Sequence, residues 1–307
     1  MANKELAGLI RGRIPQLSLR EDEPMSRHCS FRVGGPADVF AEPSGEEELL
    51  ELCSVLEDAG APVLVVGRGT NLLVCDEGIP GAVIHLGDAF SEARAEGTEL
   101  AAMAGCPLSR LAVLARHSSL SGLEFAHGIP GSLGGAIMMN AGAYGGEMSG
   151  VTVSVRCLDP DGEVREYSGA ELDFSYRRSR FAERGGVVLS ARLRLEPGDV
   201  GDIERRMREL MERRAASQPL DKPSAGSTFK RPASGYAAAM IDSAGLKGYA
   251  VGGAAVSEKH AGFVVNNGGA SFRDIMAVIG HVQKTVLDKY GVLLEPEVRI
   301  IGPDYFC

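Results

Sequence analysis

Two observations predict an α+β fold, and a third bounds its size. Strand-like and helix-like runs both occur along the 307 residues, but without the regular strand–helix–strand alternation of a doubly wound sheet. Two glycine-rich loops depart from the dinucleotide and Walker patterns that would argue for such a sheet. The composition, 44% apolar and 24% charged, is that of an ordinary globular protein with room for about two domains.

The elements follow in chain order. Residues 42–60, EPSGEEELLELCSVLEDAG, read as one helix, with Ser44 as cap, Glu47 completing a capping box, acids in the first turn and Gly60 at the end. APVLVVG is short, continuous and β-branched, so it reads as a buried strand. The chain turns at GRGTN, and LLVCD, GAVIHLG and TELAAMAG continue as strands. Pro107 opens a helix through LSRLAVLARHSS. VTVSVRCLDPDGEVREY reads as a hairpin around DPDG, and GGVVLSARLRLEPG alternates as a half-exposed strand. Residues 199–217 form an amphipathic helix, with Ile203, Met207, Leu210 and Met211 on one face and Glu204–Arg208 and Glu209–Arg213 as pairs. A composition break at QPLDKPSAG marks a domain boundary. Beyond it lie a helix in GYAAAMIDSAG, a strand in AGFVVNN, a long helix over 271–290 and a strand in EPEVRIIG.

Charge and cysteine usage narrow the class. A net charge of −9 argues against general nucleic-acid binding, so an anionic ligand needs a local basic pocket. No run of about 18 apolar residues suggests a membrane span, and the first residues lack a secretory signal. The six cysteines (Cys29, Cys53, Cys75, Cys106, Cys157, Cys307) form no CxxC pair and read as reduced thiols, and the six histidines lack metal-ligand spacing. A cytoplasmic, metal-free protein is expected.

The two glycine loops carry the chemistry. In VVGRGTNLLV a strand runs into G-x-G, but Leu72 stands where a third glycine belongs and no helix pattern follows, which disfavours a Rossmann site. No G-K-[ST] is present, which excludes a Walker loop. What remains is a strand–turn–strand with Thr70 and Asn71, either a tight turn without ligand or a concave array of N–H groups suited to an anion. The second loop, GIPGSLGGAIMMNAGAYGG at 128–146, has seven glycines in nineteen residues. Two such loops, the second long and apolar, suggest backbone laid against a flat or extended ligand, with Ser132, Asn140 and Tyr144 as directional contacts.

These loops, preceded by CSFRVGGPADVF, resemble the FAD-binding domain of the vanillyl-alcohol-oxidase type. FSYRRSRF, PSAGSTFKRP, LKGYAVGGAAVSEKHAGFVVN and LLEPEVRIIG narrow the resemblance to the UDP-N-acetylenolpyruvoylglucosamine reductases, over residues 26–302. It implies a two-lobed FAD-binding domain plus a C-terminal α+β substrate-binding domain. The expected division is 1–75 as a first lobe rejoined by 291–307, 76–216 as a second lobe, and 217–290 as the substrate domain. Thr70 stands where this family usually has serine, which keeps the hydroxyl. The segment between Arg177 and Ser227 is too short for the tyrosine-bearing loop of the family's longer branch, so the chain resembles the shorter one.

The resemblance implies noncovalent FAD, NADPH as hydride donor and reduction of an enolpyruvyl ether to a lactyl ether in peptidoglycan precursor synthesis. It places the cofactor on Gly67, Arg68, Gly69, Thr70, Asn71 and Leu72, and on Gly128, Ile129, Pro130, Gly131, Ser132, Gly134, Gly135, Asn140, Ala141, Gly142, Ala143 and Tyr144. Arg177 matches the arginine that binds the substrate carboxylate, Ser227 the proton donor and Glu297 the catalytic glutamate. A guanidinium suits a carboxylate because it stays charged and forks onto two oxygens. Lys230 and Lys247 are candidates for the UDP diphosphate, Arg213 and Arg214 weaker ones, and Tyr176 and Tyr236 line the site. His127 is not expected to hold the flavin covalently. The expected partners are the UDP-sugar substrate and NADPH, with neither nucleic acid nor membrane, in a monomer or weak homo-oligomer. The competing readings are an FAD-linked oxidase of sugars or hydroxy acids and a nucleotide-sugar binding protein without turnover.

Overall fold

A computed structural model describes residues 3–303. The chain divides into two compact units. The first comprises residues up to 20, 40–68 and 82–214, and the second 21–39, 69–81 and 215 onward. These units cut across the three segments expected from the sequence. Residues 1–75 are shared between both, whereas 217–290 and the returning 291–303 lie in the second.

The first unit holds a five-stranded antiparallel sheet in the order Val164–Ser168, Thr152–Leu158, Val187–Arg194, Glu99–Met103, Ala93–Glu96. The hairpin read around DPDG is its first strand pair, with Leu158 opposite Val164. The strand Ala93–Glu96 has no apolar alternation, and its side chains are largely exposed, so the sequence carries no sign of it. In the same unit Val63–Val66 pairs in parallel with the end of Ile79–His85, matching Val63 to Ala82. Ser18–Pro24, Pro36–Glu42 and Ile79–His85 each have residues in both units.

Two helix readings need correction. The helix in 42–60 begins at Glu46 with extended Gly45 as its cap, and Ser44 makes no side-chain cap. It is Glu48 that folds back, accepting the Ser44 N–H at 2.8 Å, because the helix starts one residue later than a Ser44 cap requires. Gly60 does sit just past the end in the left-handed region, at φ +59°. In Val200–Ser217 the buried face is Ile203, Met207 and Leu210, while Met211 is 38% exposed. The expected pairs are also re-sorted. Glu204 meets Arg116 at 3.5 Å, and Glu209 faces Arg205 and Arg206 on its N-terminal side, because a neighbouring helix offers Glu204 a cation that the sequence cannot show.

The second unit contains a three-stranded antiparallel sheet, Ala250–Val251, Ala254–Val256 and Val264–Asn266, and the long helix Phe272–Tyr290. Ser271 caps that helix through a reciprocal box with Asp274, and Gly291 ends it at φ +68°. Residues 299–301 return to pair in parallel with Leu72–Val74, Arg299 opposite Leu72.

Candidate cofactor and active site

In the first unit the glycine-rich stretch is pinned to the turn that opens the helix Leu108–His117. Leu108 N–H donates to Gly131 O at 3.1 Å, Leu133 N–H to Cys106 O at 2.9 Å and Gly134 N–H to Ala104 O at 2.7 Å. The stretch contains a short helix, Leu133–Met138, which its glycine content hides from sequence reading. Its glycines serve two purposes. A Cβ on Gly134 would lie 2.9 Å from Ala104 Cβ and one on Gly146 2.5 Å from the Phe125 ring, while one on Gly67 of the first loop would lie 2.1 Å from Ser132 Oγ in the stretch. These three let the protein approach itself. Gly135 and Gly145 are different, with nothing nearer than 3.9 Å. The first-turn N–H groups of a helix have no intrahelical acceptor. Leu133 and Gly134 direct theirs to carbonyls of the protein, and exposed Gly135 leaves backbone open to a ligand.

The remaining residues assigned to the cofactor divide the same way. Asn140 is buried at φ +39° and uses both ends of its amide internally, donating to Ser175 O at 3.0 Å and accepting the Ser149 N–H at 2.8 Å. Its role is therefore to hold the loop's shape. Ile129 and Ala141 commit their N–H groups to Ala126 and Ala136 carbonyls. Tyr144, at φ +54°, keeps its ring 36% exposed beneath the Arg213 guanidinium, 5.4 Å from the ring centre. Gly142 and Ala143 pair with Glu147 and Gly146 as a two-residue ladder, and Pro130 and Arg68 are exposed.

Two polar groups beside this stretch fit an anionic, flat guest. Arg214 packs on Gly128, where a Cβ would meet its Cδ at 3.2 Å, and among the described residues it forms no salt bridge, with Tyr144 as its electrostatic neighbour. Burial lowers its guanidinium pKa, with Tyr144 opposing. His127 Nδ1 is buried with no hydrogen-bond partner among the described residues. A half-buried cation and an orphaned ring nitrogen next to open backbone match a dinucleotide such as FAD.

Arg177 differs from its arginine neighbours in backbone conformation. Arg178 pairs with Glu183 at 2.9 Å, and Arg180 lies 3.8 Å over the Tyr167 ring. Arg177 is half-buried in the left-handed region, φ +57°, with its guanidinium 5.1 Å over half-exposed Tyr176. A non-glycine residue held there is strained, and such strain concentrates at functional positions.

In the second unit Gly69, φ +58°, lies so close to His28 that a Cβ would sit 1.9 Å from its carbonyl oxygen. Half-buried Thr70 follows, then Asn71, whose Nδ2 donates to Glu297 O at 3.1 Å and whose carbonyl accepts the Arg299 N–H at 2.9 Å. Leu72 begins the strand and is buried. Glu297 N–H donates to Thr228 O and Lys230 N–H to Glu295 O, both at 2.8 Å, around the bridge Phe229–Pro296. This ladder brings Asn71, the segment carrying Ser227, and Glu297 into one place. Ser227 is exposed and Glu297 half-buried. Lys230 pairs with Glu295 at 3.3 Å and Lys247 with Asp242 at 2.7 Å, both at the surface. Tyr236, 62% exposed, lies beneath Arg231, 4.0 Å from the ring centre. Sequence analysis singled out neither Arg231 nor Thr228 although both lie in PSAGSTFKRP, because the motif does not show the burial of Thr228 or the Arg231–Tyr236 contact.

This glycine cradle with its unpaired cation defines an FAD-binding protein of α+β architecture. An FAD-binding domain family matches residues 37–168, and the C-terminal domain of UDP-N-acetylenolpyruvoylglucosamine reductase matches residues 218–301. The reductase of that name from Caldanaerobacter subterraneus subsp. tengcongensis is 50% identical over 92% of this chain and 93% of its own. That from Agathobacter rectalis is 48% identical over 98% of this chain and 99% of its own. The crystal structure of the Thermus caldophilus reductase superposes with a TM-score of 0.81 at 36% identity, covering 94% of this chain and 99% of that one. A glucose oxidase variant of Phl p 4 shares only the fold, with a TM-score of 0.50 at 14% identity over 64% of this chain and 44% of its own. The chain belongs to the UDP-N-acetylenolpyruvoylglucosamine reductase family.

Proposed function

We propose that this protein is the flavin-dependent reductase that converts UDP-N-acetylglucosamine enolpyruvate to UDP-N-acetylmuramate in peptidoglycan precursor synthesis. The observation that carries the reading is the ladder joining Asn71 of the first glycine loop to Glu297 and to the segment that presents Ser227. FAD held noncovalently by the two glycine loops would supply the hydride chemistry, between NADPH and the β carbon of the enolpyruvyl ether.

The chain's own groups handle the charge and the proton. Hydride addition at the β carbon leaves an electron pair at the α carbon, delocalised into the carboxylate. The Arg177 guanidinium pairs with that carboxylate and stabilises the charge as it develops. Ser227 gives its hydroxyl proton to the α carbon, which completes the reduction. A serine hydroxyl is a weak acid, but an enolate is basic enough to take its proton. The Glu297 carboxyl holds donors around the enolate. Lys230 and Lys247 receive the UDP diphosphate, exchanging their surface carboxylates for phosphate oxygens, and Tyr176 and Tyr236 line the sugar and base.

Of the cofactor residues, Gly67, Gly69, Gly134 and Asn140 shape the cradle and Gly135 and Thr70 face the ligand, and Arg214, expected from the sequence as a weaker contact for the UDP diphosphate, is reassigned here to the cofactor. A three-part working division, 1–75 with 291–307, 76–216 and 217–290, suits this use. No helix of the described residues is long and apolar enough to cross a membrane. A cytoplasmic monomer or weak homo-oligomer that binds neither nucleic acid nor membrane completes the reading.

The test is direct. The purified protein should carry yellow flavin absorbance and oxidise NADPH only when the enolpyruvyl substrate is present. A colourless protein that cannot be reconstituted with FAD overturns the proposal, and rapid oxygen consumption with a simple sugar and no use of NADPH would favour an oxidase. In Ser227→Ala, NADPH should still bleach the flavin while reoxidation by substrate stalls. Equal loss of both half-reactions would remove Ser227 from the proton-donor role.

A further inference from the structure

Thr228 is 1% exposed and adjoins Ser227, and all three of its polar groups are used. Its N–H donates to Gly262 O at 2.8 Å, its carbonyl accepts the Glu297 N–H at 2.8 Å, and its Oγ1 accepts the Val264 N–H at 3.0 Å. Gly262 and Val264 lead into the strand Val264–Asn266. Thr228 therefore clamps the segment bearing Ser227 between a sheet strand on one side and the Glu297 segment on the other. Across the clamp, Glu297 O accepts from Asn71 Nδ2 at 3.1 Å, so the series runs from Val264 through Thr228 and Glu297 to the cofactor loop.

We propose that Thr228 is a positioning residue for the substrate half-reaction, its hydroxyl fixing how Ser227 and Glu297 are presented together. This rests on the function proposed above. The side chain reaches no reacting atom in this account. It acts through the Val264 N–H, which a valine of the same shape would leave buried and unsatisfied. The local backbone then shifts to find another partner, and a displacement of about 1 Å at a proton-delivery site lowers its rate about a hundredfold. Hydride transfer from NADPH into the holoenzyme uses neither Ser227 nor Glu297 as a reacting group, so the shift falls chiefly on reoxidation.

The experiment is anaerobic stopped-flow on flavin-loaded protein, following reduction by NADPH and reoxidation by the enolpyruvyl substrate separately. For Thr228→Val we expect reoxidation to fall about 10–100-fold with reduction within about twofold of wild type, and a larger solvent deuterium isotope effect on reoxidation as proton delivery becomes limiting. Thr228→Ser keeps the hydroxyl and should restore reoxidation. If Thr228→Val does not retain flavin, Thr228→Ala carries the same expectation, since it also lacks the oxygen while relieving any crowding. Equal slowing of both half-reactions, unchanged reoxidation in both hydroxyl-free variants, or failure of serine to rescue would overturn the proposal. Wild-type protein that does not oxidise NADPH with substrate would instead overturn the reading of function, which separates the two failures.

Discussion

At the scale of single residues, the glycines form two groups that a sequence cannot separate. Gly69 is required twice over, by its positive φ and by the His28 carbonyl 1.9 Å from any added Cβ. Gly69→Ala should therefore destabilise the fold by about 3 kcal/mol or more, the strain and the backbone displacement acting together, and release flavin on dialysis. Thermal melts with and without added FAD check this. Gly135 has space around it, so Gly135→Ala should leave the melting temperature of the flavin-free protein nearly unchanged while weakening FAD binding. An equal loss of apoprotein stability would contradict its assignment to the ligand. The roles proposed for Arg177, Ser227 and Glu297 rest, in the sequence, only on the motifs that surround them. Nothing in local composition separates Arg177 from Arg178 and Arg180. The difference lies in backbone conformation, Arg177 sitting at φ +57°. The burial of Thr228 and Arg214 was not legible at all, because it depends on segments far along the chain.

At the scale of elements, periodicity located the long helices, while the Ser44–Glu47 cap expected for one of them is replaced by Gly45 and Glu48. The strand Ala93–Glu96 and the helix inside the glycine stretch escaped, because an exposed edge strand needs no apolar alternation and glycine suppresses helix propensity. The helix Phe272–Tyr290 supports a prediction of its own. Its N-terminus is served by the Ser271–Asp274 box and by Asp76, whose Oδ1 accepts the Phe272 N–H at 3.0 Å. The hydrogen bonds from the Ser271 backbone and hydroxyl hold the Asp274 carboxyl below the usual aspartate pKa. A carboxyl lowered in this way stabilises the fold fully above its unfolded pKa of about 3.9, and the benefit is lost as pH falls through the lower folded value. Ser271→Ala should cost about 1 kcal/mol at neutral pH, with the difference from wild type shrinking in acid below about pH 4. Urea melts at pH 7 and pH 3 would show whether the gap closes.

At the scale of the whole molecule, the boundary near QPLDKPSAG is close to where the second unit resumes at residue 215. That this unit also takes in 21–39 and 69–81 had no trace in composition, because interleaved segments join through long-range pairing. The expectation of reduced thiols holds for Cys29, Cys53, Cys75, Cys106 and Cys157, which are free, while Cys307 lies outside the described residues. Burial pushes the Cys106 thiol up to about 11 and Cys157 to about 12, so neither is ionised at pH 8. Alkylation of native protein at pH 8, read by mass spectrometry, should spare Cys29, Cys75, Cys106 and Cys157 until denaturant is added. Rapid labelling of any of them would show a core looser than described.

The parallel pairing of Leu72–Val74 with Arg299–Ile301 also sets a clock. Asn71 and Glu297 are 226 positions apart, and at ordinary synthesis rates that interval lasts roughly 10–50 s. Throughout it, the three apolar residues after the first glycine loop wait as an unpaired edge, open to the wrong strand. Only when the late strand arrives does Asn71 gain the acceptor that fixes it. If the first loop holds flavin as proposed, the pairing that fixes its Asn71 is complete only after residue 301 has been made.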